Sequence, residues 1–212
     1  GVAGSGIASN TSVGSYTFYA ACSNNPTCRT ATNYVIGAAG QWIGAANNVW
    51  SNTANWCGGV PTISTDAAIT SGALNMPVLG TGTGTVRNLT VNSGASLTVS
   101  NATMQIAGTI TASNAINAAN GTIEMAGATA QSLSGSAFTG RTVLNLIASN
   151  SVNVSAAAND SLRITGALSF GNVNSKTFSS GNNVILVSGP TATARVADIT
   201  NNGTNSGNSF SG

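Results

Sequence analysis

The sequence has very little charge and no histidine. Asp, Glu, Lys and Arg make up 5% of its 212 residues, where an average soluble domain carries about 25%. The absence of His removes the commonest general base and metal ligand, which argues against catalysis and against a bound cofactor. The net charge of +2 comes from scattered basic residues, so we expect no nucleic-acid interface. No apolar run approaches the ~18 residues that cross a bilayer, so we expect no membrane insertion.

The acidic residues are few and far apart in sequence. A coiled fold could still bring two of them together, so a degenerate polysaccharide lyase or hydrolase that uses Glu124 with Asp160 stays an alternative. The simpler interpretation places each acid at a strand end or a turn. We therefore predict no catalytic residue and no metal site. The four carboxylate side chains of the sequence are Asp66, Glu124, Asp160 and Asp198.

Alternation of apolar and polar residues is the main pattern that is present. Apolar residues account for 42% of the chain, which argues against disorder. From Pro61 onward, short period-2 segments are separated by Gly or Asn, and no segment has a helical period. The predicted strands are Asn88–Val91, Ser96–Val99, Met104–Ile106, Thr122–Met125, Asn145–Ile147, Asn153–Val154, Ser161–Ile164, Ala167–Phe170 and Asn183–Val187.

Related apolar pairs recur about every 18–24 residues, a spacing typical of solenoids. One such coil buries too few side chains to fold alone, whereas stacked coils gain ladder hydrogen bonds and apolar contacts from their neighbours. Like charges on successive coils ~4.8 Å apart would repel by about 0.9 kcal/mol even in water, which explains the neutral composition. The sequence therefore predicts an all-β chain whose main part is a right-handed parallel β-solenoid. An antiparallel sandwich is the alternative fold.

The N-terminal region has a different pattern. Residues 14–22 and 29–36 alternate like the two strands of a hairpin, and two strands alone are only marginally stable. We interpret residues 1–38 as the last strands of an immunoglobulin-like β-sandwich or as a linker hairpin. Cys22 and Cys28 flank a turn sequence, which favours a disulfide between them in an oxidising compartment, with a zinc site as the competing use.

All three tryptophans lie just after this region. Trp42, Trp50 and Trp56 fall within residues 39–66, which we interpret as an aromatic cap over the first coil of a solenoid formed by residues 67–212. The alternative is that the three rings form an exposed platform for surface glycans. We expect the solenoid to continue beyond the chain end, as part of a longer protein.

The region from Gln41 onward resembles a module of giant secreted surface proteins of Bacteroidota. The motifs are Gln41-Trp-Ile-Gly, Asn55-Trp-Cys-Gly-Gly-Val-Pro61 and Arg87-Asn-Leu-Thr-Val-Asn-Ser-Gly-Ala-Ser-Leu-Thr-Val99, and Asn205–Gly212 is similar to the end of that module. These proteins are exported by the type IX system and act as adhesins, including gliding-motility adhesins, or as extracellular filaments.

The resemblance implies a secreted, cell-surface location and a non-catalytic role as a stalk or filament segment. A carbohydrate-binding adhesin module is the alternative function. Head-to-tail association with neighbouring domains or subunits is expected, because solenoid ends carry unpaired strand edges. Family members often carry a further Cys before the Asn-Leu-Thr stretch, which is absent here and leaves Cys57 without an obvious partner. The Asp160-Ser-Leu162 triplet matches a short glycosylation motif of this phylum and makes Ser161 a candidate O-glycosylation site, with an ordinary turn as the alternative.

Overall fold

The chain folds as two compact units, Gly1–Ala39 and Gly40–Gly212. The structure, a computed structural model, describes residues 13–22, 25–113, 115–190, 192–197 and 207–212, with the backbone alone for residues 15–35. The two units are described separately below.

The first unit contains an antiparallel strand pair, as predicted. Strand β1 (Gly14–Cys22) pairs with β2 (Asn25–Ile36), and the register places Gly14 opposite Ile36 with an irregularity between Ala21 and Cys22. The predicted Cys22–Cys28 disulfide concerns side chains outside the described residues, so it stays a prediction. The interpretation of this strand pair as the last strands of an immunoglobulin-like sandwich also stays a prediction.

The described residues of the second unit form strands of 2 to 11 residues and two 3-10 helices of three residues each, Thr53–Asn55 and Gly135–Ala137. Its strands in chain order are β3 (Gln41–Trp42), β4 (Ala67–Ile69), β5 (Val78–Leu79), β6 (Thr83–Val86), β7 (Leu89–Val91), β8 (Leu97–Ile106), β9 (Ile110–Thr111), β10 (Ile116–Met125), β11 (Gln131–Leu133), β12 (Phe138–Ala148), β13 (Asn153–Ala156), β14 (Leu162–Ile164), β15 (Ala167–Phe170), β16 (Thr177–Ser179), β17 (Val184–Leu186), β18 (Arg195–Val196) and β19 (Ser209–Ser211).

These strands form three parallel sheets. Sheet I has the order β3-β4-β7-β9, and sheet III has the order β11-β13-β16-β19. Sheet II contains β5, β6, β8, β10, β12, β14, β15, β17 and β18. Every paired strand of the second unit that the structure describes runs parallel to its neighbour. The prediction of an all-β parallel solenoid is therefore confirmed, and the antiparallel sandwich is excluded for this unit.

The length of one coil follows from side chains that contact the next coil. Asn88 and Thr109 are 21 residues apart, Thr122 and Asn145 are 23 apart, and Asn153 lies 24 residues before its partner Thr177. These separations agree with the predicted repeat. The last coil is longer, because Thr177 contacts Ser209, 32 residues later.

The interior is a stack of apolar side chains in register. Leu97, Ile116 and Phe138 occupy one column on β8, β10 and β12, and all three are completely buried. A second column continues through sheet III, where Val154, Phe178 and Phe210 are aligned on β13, β16 and β19. Each buried side chain therefore contacts others directly above and below it, which is why a single coil could not hold this core.

Some strands bend so that one strand serves two faces of the coil. Residues predicted as separate strands, Ser96–Val99 and Met104–Ile106, belong to the single strand β8. Asn101 lies between them in the left-handed region with φ 53°, a conformation that Asn adopts more readily than most residues. In β12 the corresponding bend contains Gly140 and Arg141, with φ values of 61° and 56°.

A buried polar network lies where sheet I ends and sheet III begins. Strands β9 and β11 are not paired in the described part of the chain. Gln131, the first residue of β11, donates from Nε2 to the carbonyl oxygens of Ile106 at 3.0 Å and Gly108 at 2.7 Å. Its Oε1 accepts from the backbone N–H of Gly127 at 2.8 Å and from Asn150 Nδ2 at 2.6 Å. The side chain of Gln131 thus joins the coils at the point where the strand ladder is interrupted.

We predict that Gln131→Ala destabilises the solenoid strongly. The substitution removes four hydrogen bonds, and each buried group left without a partner costs about 1–3 kcal/mol. Gln105→Ala is the matched control, because Gln105 is a half-buried residue of β8 whose side chain has no hydrogen bond within the described residues. Urea denaturation should show a clearly lower free energy of unfolding for Gln131→Ala than for Gln105→Ala. Equal values for the two variants would contradict a structural role of the network.

Candidate functional site

The three tryptophans form a cluster at the first coil of the second unit. Trp42 lies on β3, Trp50 lies in the following loop, and Trp56 directly follows the first 3-10 helix. The ring of Trp56 stands edge-on to both others, with centroid distances of 5.0 Å to Trp42 and 4.7 Å to Trp50. The exposed fractions are 0% for Trp42, 2% for Trp50 and 4% for Trp56. Edge-to-face geometry at these distances stabilises aromatic pairs beyond the area that they bury.

The indole N–H groups of the cluster differ in their partners. Trp42 Nε1 donates to the carbonyl oxygen of Asn75 at 2.7 Å, and Trp56 Nε1 donates to the carbonyl oxygen of Trp50 at 2.7 Å. Trp50 Nε1 is buried and has no hydrogen-bond partner among the residues that the structure describes. Two of the three rings are therefore fixed by a polar contact as well as by packing.

Buried Asn55 holds the loop that carries this cluster. Its Oδ1 accepts from the backbone N–H groups of Ala46 and Asn47, and its Nδ2 donates to Asn47 Oδ1 and to the Val49 carbonyl oxygen. This geometry places Val49 beside Val78 in an isolated parallel bridge. The loop thereby covers the outer edge of β5, the first strand of sheet II.

The close approach of the backbone to the Trp42 ring also requires glycine at position 44. Gly44 has φ 59°, and a Cβ atom at this position would lie 2.3 Å from the Asn75 carbonyl oxygen and 2.8 Å from Trp42 Nε1. Larger residues are therefore excluded by both conformation and space.

The burial of the cluster bears on its two interpretations. A sugar ring stacks on an exposed aromatic face, and Trp42, Trp50 and Trp56 expose no such face in this structure. Their packing against the first coil, together with the strand edge that the loop covers, favours the interpretation as a cap.

We predict that Trp50→Phe is tolerated better than Trp56→Phe. Both substitutions remove the same ring volume, but only Trp56→Phe deprives a buried carbonyl oxygen of its donor, at a cost of about 1–3 kcal/mol. Thermal and urea denaturation of the two variants would measure the difference in the free energy of unfolding. A larger loss of stability for Trp50→Phe would contradict the assignment of the Trp56 hydrogen bond as a stabilising contact.

The first carboxylate, Asp66, joins neighbouring coils at a corner. It accepts hydrogen bonds from Arg87 Nε at 2.7 Å and Nη2 at 2.8 Å, and from Asn88 Nδ2 at 2.8 Å. The Arg87 hydrogen bonds lower the pKa of Asp66 from 3.8 to about 2, against the opposing effect of partial burial and with further lowering by Asn88 and by the Arg87 charge. Asn88 in turn accepts from the backbone N–H of Thr109 at 2.9 Å. The corner therefore connects three successive coils.

The other two described carboxylates have different partners. Asp160 accepts from Ser134 Oγ, from the Ser136 backbone N–H and from the Arg141 guanidinium, and the Ser134 hydrogen bond is the main cause that lowers its pKa. Glu124 accepts from Ser149 Oγ at 2.5 Å. Glu124 and Asp160 thus bond to different residues, and the described residues contain no group of three or more His, Cys, Asp and Glu that could hold a metal ion. Asp198 lies outside the described residues.

We predict that Asp66 contributes stability above pH 3.8, its unfolded value. A carboxyl whose folded pKa is depressed stabilises the fold when it is ionised, and the contribution is lost as pH falls from 3.8 through about 2. NMR titration of the Asp66 side chain should give a midpoint near the lower value, and Arg87→Ala should raise that midpoint toward 3.8. An unchanged midpoint in Arg87→Ala would show that the ion pair does not control this group.

Several asparagine side chains form hydrogen bonds to the next coil. The sequence patterns did not identify which asparagines do so. Asn88, Asn145 and Asn153 each accept a hydrogen bond from the backbone N–H of a residue one coil later, at 2.9, 2.8 and 3.0 Å. Asn88 directly precedes β7 and Asn153 begins β13, so Asn at a strand beginning is a signal for these two, whereas Asn145 lies inside β12. These contacts connect the coils without introducing charge.

The structure also describes the surroundings of two further candidate residues, Ser161 and Cys57. Ser161, the candidate glycosylation site, is half-buried and directly precedes β14. A Cβ atom built on Gly135 would lie 2.0 Å from the Ser161 carbonyl oxygen. The backbone here therefore packs closely against the neighbouring coil. Cys57 is a half-buried free thiol.

Comparison with known proteins gives one match. Residues 41–140 match a family model described as a domain of unknown function, DUF8693. The match begins at the strand that carries Trp42 and ends within β12, so it contains the tryptophan cluster and the first coils of the solenoid. No curated protein and no solved structure matches the chain. Among the described residues, no helix has the length and apolar character that a membrane span requires.

Proposed function

We propose that this chain is a non-catalytic stalk or filament segment of a secreted bacterial cell-surface adhesin or extracellular fibre. The observation that carries the proposal is the stacking of parallel strands, coil upon coil, in a chain with few charges. Such a unit transmits position and force between the regions on either side of it. The resemblance to type IX-exported Bacteroidota surface proteins supports the secreted, cell-surface location.

The neutral surface supports a structural role. The side chains that face outward on sheet III are hydroxyls and amides, such as Ser132, Asn153 and Ser155 on its first two strands. Along the stack, Thr177 Oγ1 lies 3.0 Å from Ser209 Oγ, and Ser179 Oγ lies 3.1 Å from Ser211 Oγ. Hydroxyl ladders of this kind connect coils where ladders of like charge would repel.

Both ends of the described solenoid expose apolar side chains, which supports association with neighbours. In the first coil, beside the buried tryptophan cluster, Val49 and Leu74 are exposed by 46% and 86%. In the last described coil, Ile185, Leu186 and Val196 are exposed by 42%, 39% and 43%. Exposed apolar groups near strand edges favour contact with another β-rich surface. We propose that adjoining domains or subunits of a head-to-tail assembly make contact there.

The enzyme alternative has less support. Each described carboxylate already has partners, and Glu124 and Asp160 bond to different residues. A polysaccharide-processing β-helix needs acidic and basic groups around one substrate site. Polysaccharide turnover that Glu124→Ala abolished would favour that alternative over the stalk.

The stalk proposal predicts that the solenoid can be replaced by an unrelated rod. In the producing cell, deletion of residues 40–212 should leave the protein exported but weaken attachment that depends on its other regions. A rigid spacer of equal length should restore attachment, because only reach is required. Surface labelling of intact cells controls for export.

A flexible linker with the same number of residues is the matched control, and it should restore attachment less well than the rigid spacer. If only the native segment restores attachment, the segment binds the target itself and the stalk proposal fails.

A further inference from the structure

The last described coil of the solenoid ends in strand edges that have no partner in the described part of the chain. Strands β17, β18 and β19 each pair on one side only, with β14, β15 and β16 respectively. We call the face that these three strands form the open end. The side chains that continue the buried apolar columns to this face are Val184, Leu186, Val196 and Phe210, whose register partners are the buried residues Leu162, Ile164, Leu168 and Phe178.

The backbone of β17 also points hydrogen-bonding groups toward the open end. The Val187 N–H donates to the Ile164 carbonyl oxygen in the preceding coil at 2.9 Å. The Asn183 carbonyl oxygen accepts from the Leu162 N–H of the same coil at 2.7 Å. Because backbone groups alternate in direction along a parallel strand, the N–H and C=O of Leu186 face the other way, toward the open end. No described residue bonds to them.

Strands β18 and β19 repeat this arrangement. On β18 the N–H groups of Arg195 and Ala197 donate to the preceding coil, so the N–H and C=O of Val196 face the open end. On β19 the residues on either side of Phe210 bond to the preceding coil, so its N–H and C=O face the open end as well. The residues that expose apolar side chains at the open end are thus the same ones that offer unpaired backbone groups there.

The first coil has no comparable edge at β3 or β5. The loop that carries the tryptophan cluster covers both strands with backbone hydrogen bonds. The Cys57 N–H donates to the Gln41 carbonyl oxygen of β3 at 2.9 Å, and the Val78 N–H of β5 donates to the Asn48 carbonyl oxygen at 2.7 Å. Because the chain itself occupies these two edges, the first coil of a second copy cannot continue the strand ladder through them.

We propose that the open end accepts a further parallel β-coil, supplied by an adjoining domain or subunit and joined by strand addition. The inference rests on the head-to-tail association proposed above and names the chemistry of the contact. The occupant is a segment of short strands with alternating apolar and polar residues, because such a segment pairs with the unpaired N–H and C=O groups and covers the apolar columns at the same time. It continues the parallel ladder of sheets II and III.

The probe for this contact is a fluorescent peptide with the sequence of residues 162–170, which contains β14 and β15. These strands already pair with β17 and β18 on the side of the preceding coil. A second copy of their sequence therefore has the spacing that the open end requires. Fluorescence anisotropy with the whole chain should show saturable binding. A peptide of the same composition without the alternation is the matched control and should not bind.

The combined substitutions Leu186→Pro and Val196→Pro test the role of the strand edge. They remove two N–H groups that face the open end and leave the backbone bonds to the preceding coil in place, and proline is tolerated on such edges. The double variant should weaken peptide binding by about tenfold or more. Ile185→Ala is the matched control, because Ile185 is exposed on the outer face of β17 beside Arg163 and should leave the Kd unchanged.

Hydrogen exchange measured by NMR gives a second readout that needs no variant. The amides of Leu186 and Val196 should exchange rapidly in the free chain and slowly when the peptide is bound. The Phe210 amide on β19 is an internal control, because a peptide paired with β17 and β18 does not reach it. Circular dichroism verifies that the proline variant is folded, and hydrogen exchange decides if it is not.

The proposal is overturned if the alternating peptide binds no better than its control, or if the folded proline variant binds it as well as the unchanged chain does. Equal weakening by Ile185→Ala would also overturn it, by showing a contact that depends on apolar surface alone. Self-association through this edge without peptide binding would assign the open end to a second copy instead. If any of these results occurred while the rigid spacer still restored cell attachment, the stalk function would stand and strand addition alone would fail.

Discussion

Everything in the second unit depends on the register between successive coils. Because β8, β10 and β12 run parallel, Leu97 lies beside Ile116, and Ile116 lies beside Phe138, although the register shifts further along β10. A slip of one residue would turn each of these side chains from the interior to the surface. The polar contacts between coils follow the same order, since Asn145 accepts from the N–H of Ala167 one coil later. Core packing and side-chain ladders therefore enforce one another.

The sequence predicted the fold class well because period-2 alternation and the repeat length are properties of short segments. It predicted boundaries less well. The bend at Asn101 is not encoded in alternation, so one strand was interpreted as two. Two-residue strands such as β3 and β9 are too short to show a pattern. Gln131 has a polar side chain in an inward-facing position, and only its four partners from other coils explain that placement.

The candidate sites show the same difference between what local patterns predict and what contacts between coils determine. The tryptophan cluster was recognised from composition, but its burial depends on Asn55 and on the contact of the loop with β5, which no local pattern reveals. A groove between the turns that precede β8 and β10 has no sequence signature, because its two turns come from different coils and their residues are common in any loop. Sites of this kind arise from the stacking of coils and become visible only when the coils are placed together.

The variable length of the coils has a consequence for how such chains diversify. Strands β16 and β19 remain paired although 32 residues separate Thr177 from Ser209, whereas Asn153 and Thr177 are 24 residues apart. The parallel pairing is the same whether 24 or 32 residues separate the paired positions. The number of residues between paired strands can therefore change during evolution while the pairing of successive coils is conserved.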